Sequence, residues 1–232
     1  MVISVKGLFR NERITELKNN RAPIKILETA KIVLHLIAEE SSTIDKNYNI
    51  EIISRNPKYL KPIKYMGMEL SHTFDGFLTY TTDLLGGARS YAHLYRRGII
   101  EAVEISLLKP LVDKKEIPSV DFEKEIILAI PGYIEVFKRI NVKPPFSMFL
   151  SLVGVEGYLM KLNKEILGAT PIPIQDNIIK LEEIYIEDYA EMENIPGLLQ
   201  SWFDDIWSAC GMFKSFNYDE NGNWGYGLNS SE

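Results

Sequence analysis

Between residues 89 and 101 the chain gathers side chains suited to gripping an anion or moving a proton: Arg89, Tyr91, His93, Tyr95, Arg96, Arg97 and Glu101. Guanidinium groups offer forked donors that match phosphate and carboxylate oxygens, and the tyrosines add ring faces and hydroxyls. The other basic residues are scattered. An anion, a nucleotide or a partner protein is therefore the contact that this group suggests. Asp75, Glu101 and Glu104 are carboxylates close to it in sequence, and convergence of two of them in a deep pocket would allow acid–base work on a nucleotide or nucleic acid. The simpler reading is structural, an ion pair between Arg96 and Glu101.

Other motifs carry less. The run 217–222 (NYDENG) places oxygen side chains at alternate positions and a glycine sixth, as in the first half of a calcium loop. The twelfth residue is Leu228 where a bidentate Glu is needed, so a turn that hydrogen-bonds to itself is the expectation. Gly154-Val155-Glu156-Gly157 has the bare spacing of a loop that clamps a nucleic-acid backbone, but Glu156 would repel phosphate. His35, His72 and His93 fall in separate segments, and one cysteine, Cys210, cannot complete a zinc set with them. His35, within an apolar run, reads as a hydrogen-bonded core residue. The acids Glu182, Glu183, Glu187, Asp188, Glu191 and Glu193 read as a solvated edge. No phosphate-binding glycine loop ending in Lys-Ser or Lys-Thr occurs, and no nucleophile elbow. No catalytic residue, cofactor or metal ligand is assigned.

The elements that must position these residues follow from hydrophobic periodicity. Residues 9–20 read as a short, mostly exposed helix, with Phe9, Ile14 and Leu17 near helical spacing. Residues 31–37 (KIVLHLI) read as a strand covered on both faces. Little regular structure is expected over residues 39–70. Strands near 74–81, 90–96 and 99–107 form an antiparallel meander whose second hairpin turns at Arg97-Gly98, so that Arg96 faces Ile99 and Leu94 faces Glu101. That register puts Tyr91, His93, Tyr95, Ile100, Ala102 and Glu104 on one face, and Leu94, Arg96, Ile99, Glu101 and Val103 on the other.

Ser119 is the expected N-cap of a helix over residues 119–140 that continues through Pro131 with a kink. Residues 146–153 form a buried strand continued by 158–162, and residues 178–188 the last strand. A helix over residues 197–210 ends at Gly211. The expected fold class is α+β: a mostly antiparallel sheet, two main helices packed on one face and a short N-terminal helix. It is read as a single domain over residues 1–232, with an N-terminal helical arm (1–22) and a turn-like, fraying tail (217–232). The expected core is Leu34, Leu36, Phe77, Leu94, Val103, Phe122, Ile126, Ile130, Phe137, Phe149, Leu150, Leu152, Ile184, Ile186, Trp202 and Ile206.

Composition limits what such a domain does. With 232 residues, 46% hydrophobic and 25% charged, it has material for a sizeable core. A net charge of −6 and pI near 5.3 argue against a broad basic surface for nucleic acid. One cysteine suits a reducing compartment, and no apolar run approaches the ~18 residues of a membrane span, so a cytoplasmic location is expected.

Seven runs in order, 31–37 (KIVLHLI), 74–80 (FDGFLTY), 90–103 (SYAHLYRRGIIEAV), 117–119 (IPS), 152–158 (LVGVEGY), 184–188 (IYIED) and 217–224 (NYDENGNW), resemble the C-terminal region of bacterial proteins with an N-terminal Schlafen-type AlbA domain, described as DNA-binding or ATP-binding proteins. In that family the nucleic-acid or ATP assignment belongs to the AlbA domain, and the resemblance here begins after it. It implies an architecture and a non-catalytic interaction or regulatory role, with a protein partner or an AlbA-type domain on another chain. Weak or no direct nucleic-acid binding by this chain is expected, and no membrane.

Overall fold

The computed structural model describes residues 4–42, 46–83, 86–110, 114–162 and 170–225. In chain order its elements are α1 (Val5–Lys18), β1 (Lys31–Ala38), α2 (Glu51–Arg55), β2 (Glu69–His72), β3 (Gly76–Thr82), β4 (Ala88–Tyr95), β5 (Ile99–Glu104), β6 (Glu116–Pro118), α3 (Ser119–Arg139), β7 (Phe146–Val153), β8 (Leu159–Lys161), β9 (Ile178–Lys180), β10 (Ile184–Ile186) and α4 (Ile195–Ala209). The main sheet is antiparallel in every pairing and runs β10-β7-β1-β5-β4-β3-β2, with β9 also on β7. The fold is α+β, as its sequence leads one to expect.

β1 is apolar at six of its eight positions, all but Lys31 and His35, and every position is buried because helices cover both faces of the sheet. On one face Leu34, Leu36, Leu94, Ile100 and Leu150 meet Phe122, Ile126, Ile130 and Phe137 of α3 and Trp202 and Ile206 of α4. Helix α3 continues through the exposed Pro131. Its N-cap is Pro118 rather than Ser119, whose hydroxyl makes no capping bond.

The other face is covered by α1, which corrects the expectation of a mostly exposed helix over residues 9–20. Ser4 Oγ accepts from the Gly7 amide at 3.0 Å and starts the helix at Val5. Ile14 and Leu17 then pack on Val33, Leu78, Tyr91 and Val103. Lys6 and Arg10 are buried beside them, and an apolar periodicity cannot register charged residues on an inward face. Val103 and Phe149, from the expected core, lie on this second face, and Ile184 is only partly buried.

Three further expectations are corrected. Gly154 and Gly157, at φ +81° and +79°, turn the chain out of the sheet, so residues 159–161 do not continue β7 but pair in parallel with β6. The strand expected at 178–188 is two pieces, β9 and β10, both on β7. Arg10 donates to the carbonyls of Leu150 and Leu181 where they part, each at 2.8 Å. Residues 39–70 hold α2, two 3-10 turns and the start of edge strand β2, all too short to show a period.

Candidate functional site

The β4–β5 hairpin closes through three residues, Arg96, Arg97 and Gly98, and not through Arg97-Gly98 alone. Tyr95 pairs with Ile99, Leu94 with Ile100 and His93 with Glu101. Gly98, at φ +78°, takes the left-handed position that ends a three-residue hairpin loop, and its amide donates to Tyr95 O at 3.0 Å. One extra loop residue slips the register by one and exchanges the faces of β5. Glu101 therefore lies with Tyr91, His93 and Tyr95 under α1, while Ile100, Ala102 and Glu104 face α3 and α4.

The slip aligns His35, Glu101 and His93 as neighbours across β1, β5 and β4. Glu101 is fully buried and both of its oxygens are engaged. Oε2 accepts from Arg13 Nε at 2.7 Å and lies 3.0 Å from His35 Nε2; Oε1 accepts from Arg13 Nη2 at 2.8 Å and from Tyr91 OH at 2.7 Å. A carboxylate only accepts, so His35 carries its hydrogen on Nε2. Burial by itself would raise the Glu101 pKa, but the hydrogen bonds and charge of Arg13 and the bond from His35 outweigh it and hold the carboxyl well below the usual range. Burial and Glu101 together raise the Tyr91 hydroxyl well above its ordinary value.

His93 is nearly as buried. Its Nε2 lies 2.9 Å from Thr73 Oγ1 and 3.5 Å from Asp75 Oδ1, and its ring sits 4.0 Å from that of Tyr95. Desolvation lowers its pKa, with Asp75 and Glu101 pulling the other way. Tyr95, half-buried, meets Phe9 of α1 edge-on at 5.7 Å.

Of the residues singled out in sequence, the structure thus brings together Tyr91, His93, Tyr95 and Glu101. The arginines are elsewhere. Arg96 and Arg97 are exposed at the hairpin tip, and Arg89 lies at the far end of β4, seven residues or roughly 23 Å away. Glu101 is paired with Arg13, not Arg96. The residues missed are Arg13 and Arg10 of α1, whose only sequence signal is a spacing of three that puts two arginines on the helix stripe carrying Ile14 and Leu17.

The three carboxylates that would serve an enzyme do not converge. Glu104 faces the α3 side and accepts the amides of Ser106 and Leu107 at 2.7 and 2.9 Å; Asp75 is exposed. Among the described residues no three His, Cys, Asp or Glu side chains are grouped to hold a metal ion, and the Arg13 guanidinium already occupies the carboxylate between the two histidines. No described helix is long and apolar enough to cross a membrane.

A second buried carboxylate organises the C-terminal segment. Glu123 of α3 accepts from Trp207 Nε1 at 2.8 Å, Ser215 Oγ at 2.7 Å and Trp224 Nε1 at 2.8 Å. Desolvation raises its pKa in spite of these donors. Asn217 and Tyr218 are buried beside it, so this part of the expected tail is packed; residues 226–232 lie outside the described residues. Asp219 accepts the amides of Asn221 and Asn223 at 2.9 and 2.8 Å, closing the turn on itself as expected, while Leu228 lies outside the described residues.

Comparison of the chain with family models, with curated proteins and with solved structures gives no match.

Proposed function

We propose that the chain is a non-catalytic interaction or regulatory module that works with a protein partner, of which an AlbA-type domain on another polypeptide is the first candidate. The observation that carries this reading is the state of Glu101: fully buried, with both oxygens filled by Arg13, His35 and Tyr91, it fastens α1 to the sheet and offers no base to a substrate. The surface best suited to a partner is the hairpin tip. There the exposed Arg96 and Arg97 adjoin the fully exposed Phe74, because the Arg96 amide donates to Asp75 O at 2.8 Å. Open edge strand β2 runs alongside. An apolar anchor beside two arginines is the composition of a protein contact.

The test is sedimentation of the purified chain mixed with an AlbA-type domain from the same genome, at about ten micromolar each. A complex that forms, and is lost in Phe74→Ser with Arg96→Glu, supports the reading. Separate sedimentation, or a complex indifferent to both substitutions, overturns the partner or the surface respectively.

A further inference from the structure

At the end of the sheet remote from the hairpin tip, a cleft of about 330 Å³ opens between the C-terminus of α1, the start of β1 and the Gly154 turn. Three ammonium groups from three separate segments line it: Lys18, Lys31 and Lys115. None makes an ion pair with a described carboxylate. Lys115 donates to the Glu156 carbonyl at 3.1 Å. Lys31 is only 4% exposed, and its ammonium donates to one carbonyl, that of Thr29, at 2.8 Å.

A lysine so withdrawn from water is ordinarily paired, since an uncompensated buried charge is costly. Desolvation lowers the Lys31 pKa accordingly, with Glu28 opposing. Glu28 is the one acid among the described lining residues, and it is held by the side-chain amide of Asn20 instead of by a lysine. At the end of α1 the carbonyls of Thr15, Glu16 and Leu17 already accept from the amides of Asn19, Asn20 and Arg21. Among the described lining residues, three lysines and one glutamate leave two positive charges facing the cleft. Gly154 forms part of the wall beside Lys31, where a Cβ would stand 3.3 Å from Ala30 Cα.

We infer that this cleft binds a phosphate monoester dianion, with Lys31 as its buried anchor and Lys18 and Lys115 closing on it from the rim. A dianion matches the excess of two charges, and the volume lies at the small end of ligand sites, enough for a phosphate with a short ester. The site is independent of the hairpin-tip partner proposed above, and failure of one leaves the other standing.

The experiment is calorimetric titration of the whole chain with inorganic phosphate, a sugar phosphate and a 5′-phosphorylated trinucleotide at constant ionic strength. Saturable binding by at least one is expected. Preference for the sugar phosphate identifies a small-molecule ester as the ligand, and preference for the trinucleotide a nucleic-acid terminus. Lys31→Met, which keeps the length of the side chain without its charge, weakens binding at least tenfold while leaving the melting temperature in phosphate-free buffer unchanged or higher. Lys115→Gln weakens it several-fold, and Arg97→Gln at the distant hairpin tip leaves it unchanged. A response that never saturates, or one equal in Lys31→Met and wild type, overturns the site. So does a Lys31→Met protein that melts lower but binds as before, because the lysine would then be structural.

Discussion

Arg13 and Glu101 meet across 88 residues of sequence in a two-pronged ion pair, Nε to Oε2 at 2.7 Å and Nη2 to Oε1 at 2.8 Å, that ties the N-terminal helix to the middle strand of the sheet. Removing one partner strands the other charge in the interior. Arg13→Met therefore costs about 3–5 kcal/mol, as does Glu101→Leu, whereas the paired change Arg13→Met with Glu101→Leu recovers most of that loss because no charge remains buried. Urea denaturation of the wild type, both single variants and the double variant measures the coupling. Additive single effects would show that the pair does not fasten α1.

The same pair sets an acid response. Glu101 has its folded pKa below its ordinary value of 4.5, so its contribution is complete above that pH and is lost as pH falls through and beneath it. Glu104 and Glu123 are raised by desolvation, and their charged burial costs stability above pH 4.5, a cost that acidification relieves. The stability gap between wild type and Glu101→Gln should therefore narrow between pH 5 and pH 3. A gap that stays constant in urea titrations over that range would mean that the carboxyl titrates normally.

The C-terminal segment depends on Glu123 in a way that a single side chain can report. Trp224→Phe keeps most of the apolar surface but removes the indole hydrogen from Glu123 Oε2. Loss of that partner costs about 1–3 kcal/mol, and it frees residues 215–225 before the rest of the fold. Hydrogen exchange should show faster exchange confined to that segment. Uniform loss of protection over the whole sheet would contradict the local tie.

Ile126→Ala tests the larger core. Ile126 is fully buried between α3 and the sheet, so truncation costs about 2–5 kcal/mol by chemical denaturation, and a change under about 0.5 kcal/mol would put the α3 stripe in water.

Much of the fold was legible in sequence where apolar residues carry the pattern. The run apolar on both faces at residues 31–37, the stripe Phe122, Ile126, Ile130, Phe137 and the glycine at 98 led to β1, α3 and the hairpin. What stayed hidden depended on polar side chains facing inward or on a single residue of register. Arg10 and Arg13 read as solvent-facing until the sheet supplied carbonyls and a carboxylate for them. Arg96 counts as a loop residue only when Gly98 is known to take the third position, and that one residue decides which face holds Glu101. Lys31 looks like the polar edge of an apolar run; its burial comes from the Gly154 turn and α1 arriving from distant sequence.

The charge distribution of the chain also bears on nucleic acid. The chain carries −6, and its exposed Arg96 and Arg97 are separated from Arg89 by the length of β4, so one duplex contact would neutralise about two phosphates. The lysine cleft accepts a terminal phosphate but is not a groove along which a backbone could run. Duplex DNA should therefore bind at the weak end of the non-specific range, about 10⁻⁴ M at physiological salt, with a log–log salt slope no steeper than about −2. Fluorescence anisotropy with labelled duplex and single-stranded DNA measures both quantities. Sub-micromolar affinity that persists at physiological salt and falls in Arg96→Glu with Arg97→Glu would mean that the hairpin tip is a nucleic-acid site in its own right, and that local charge outweighs the acidic average of the chain.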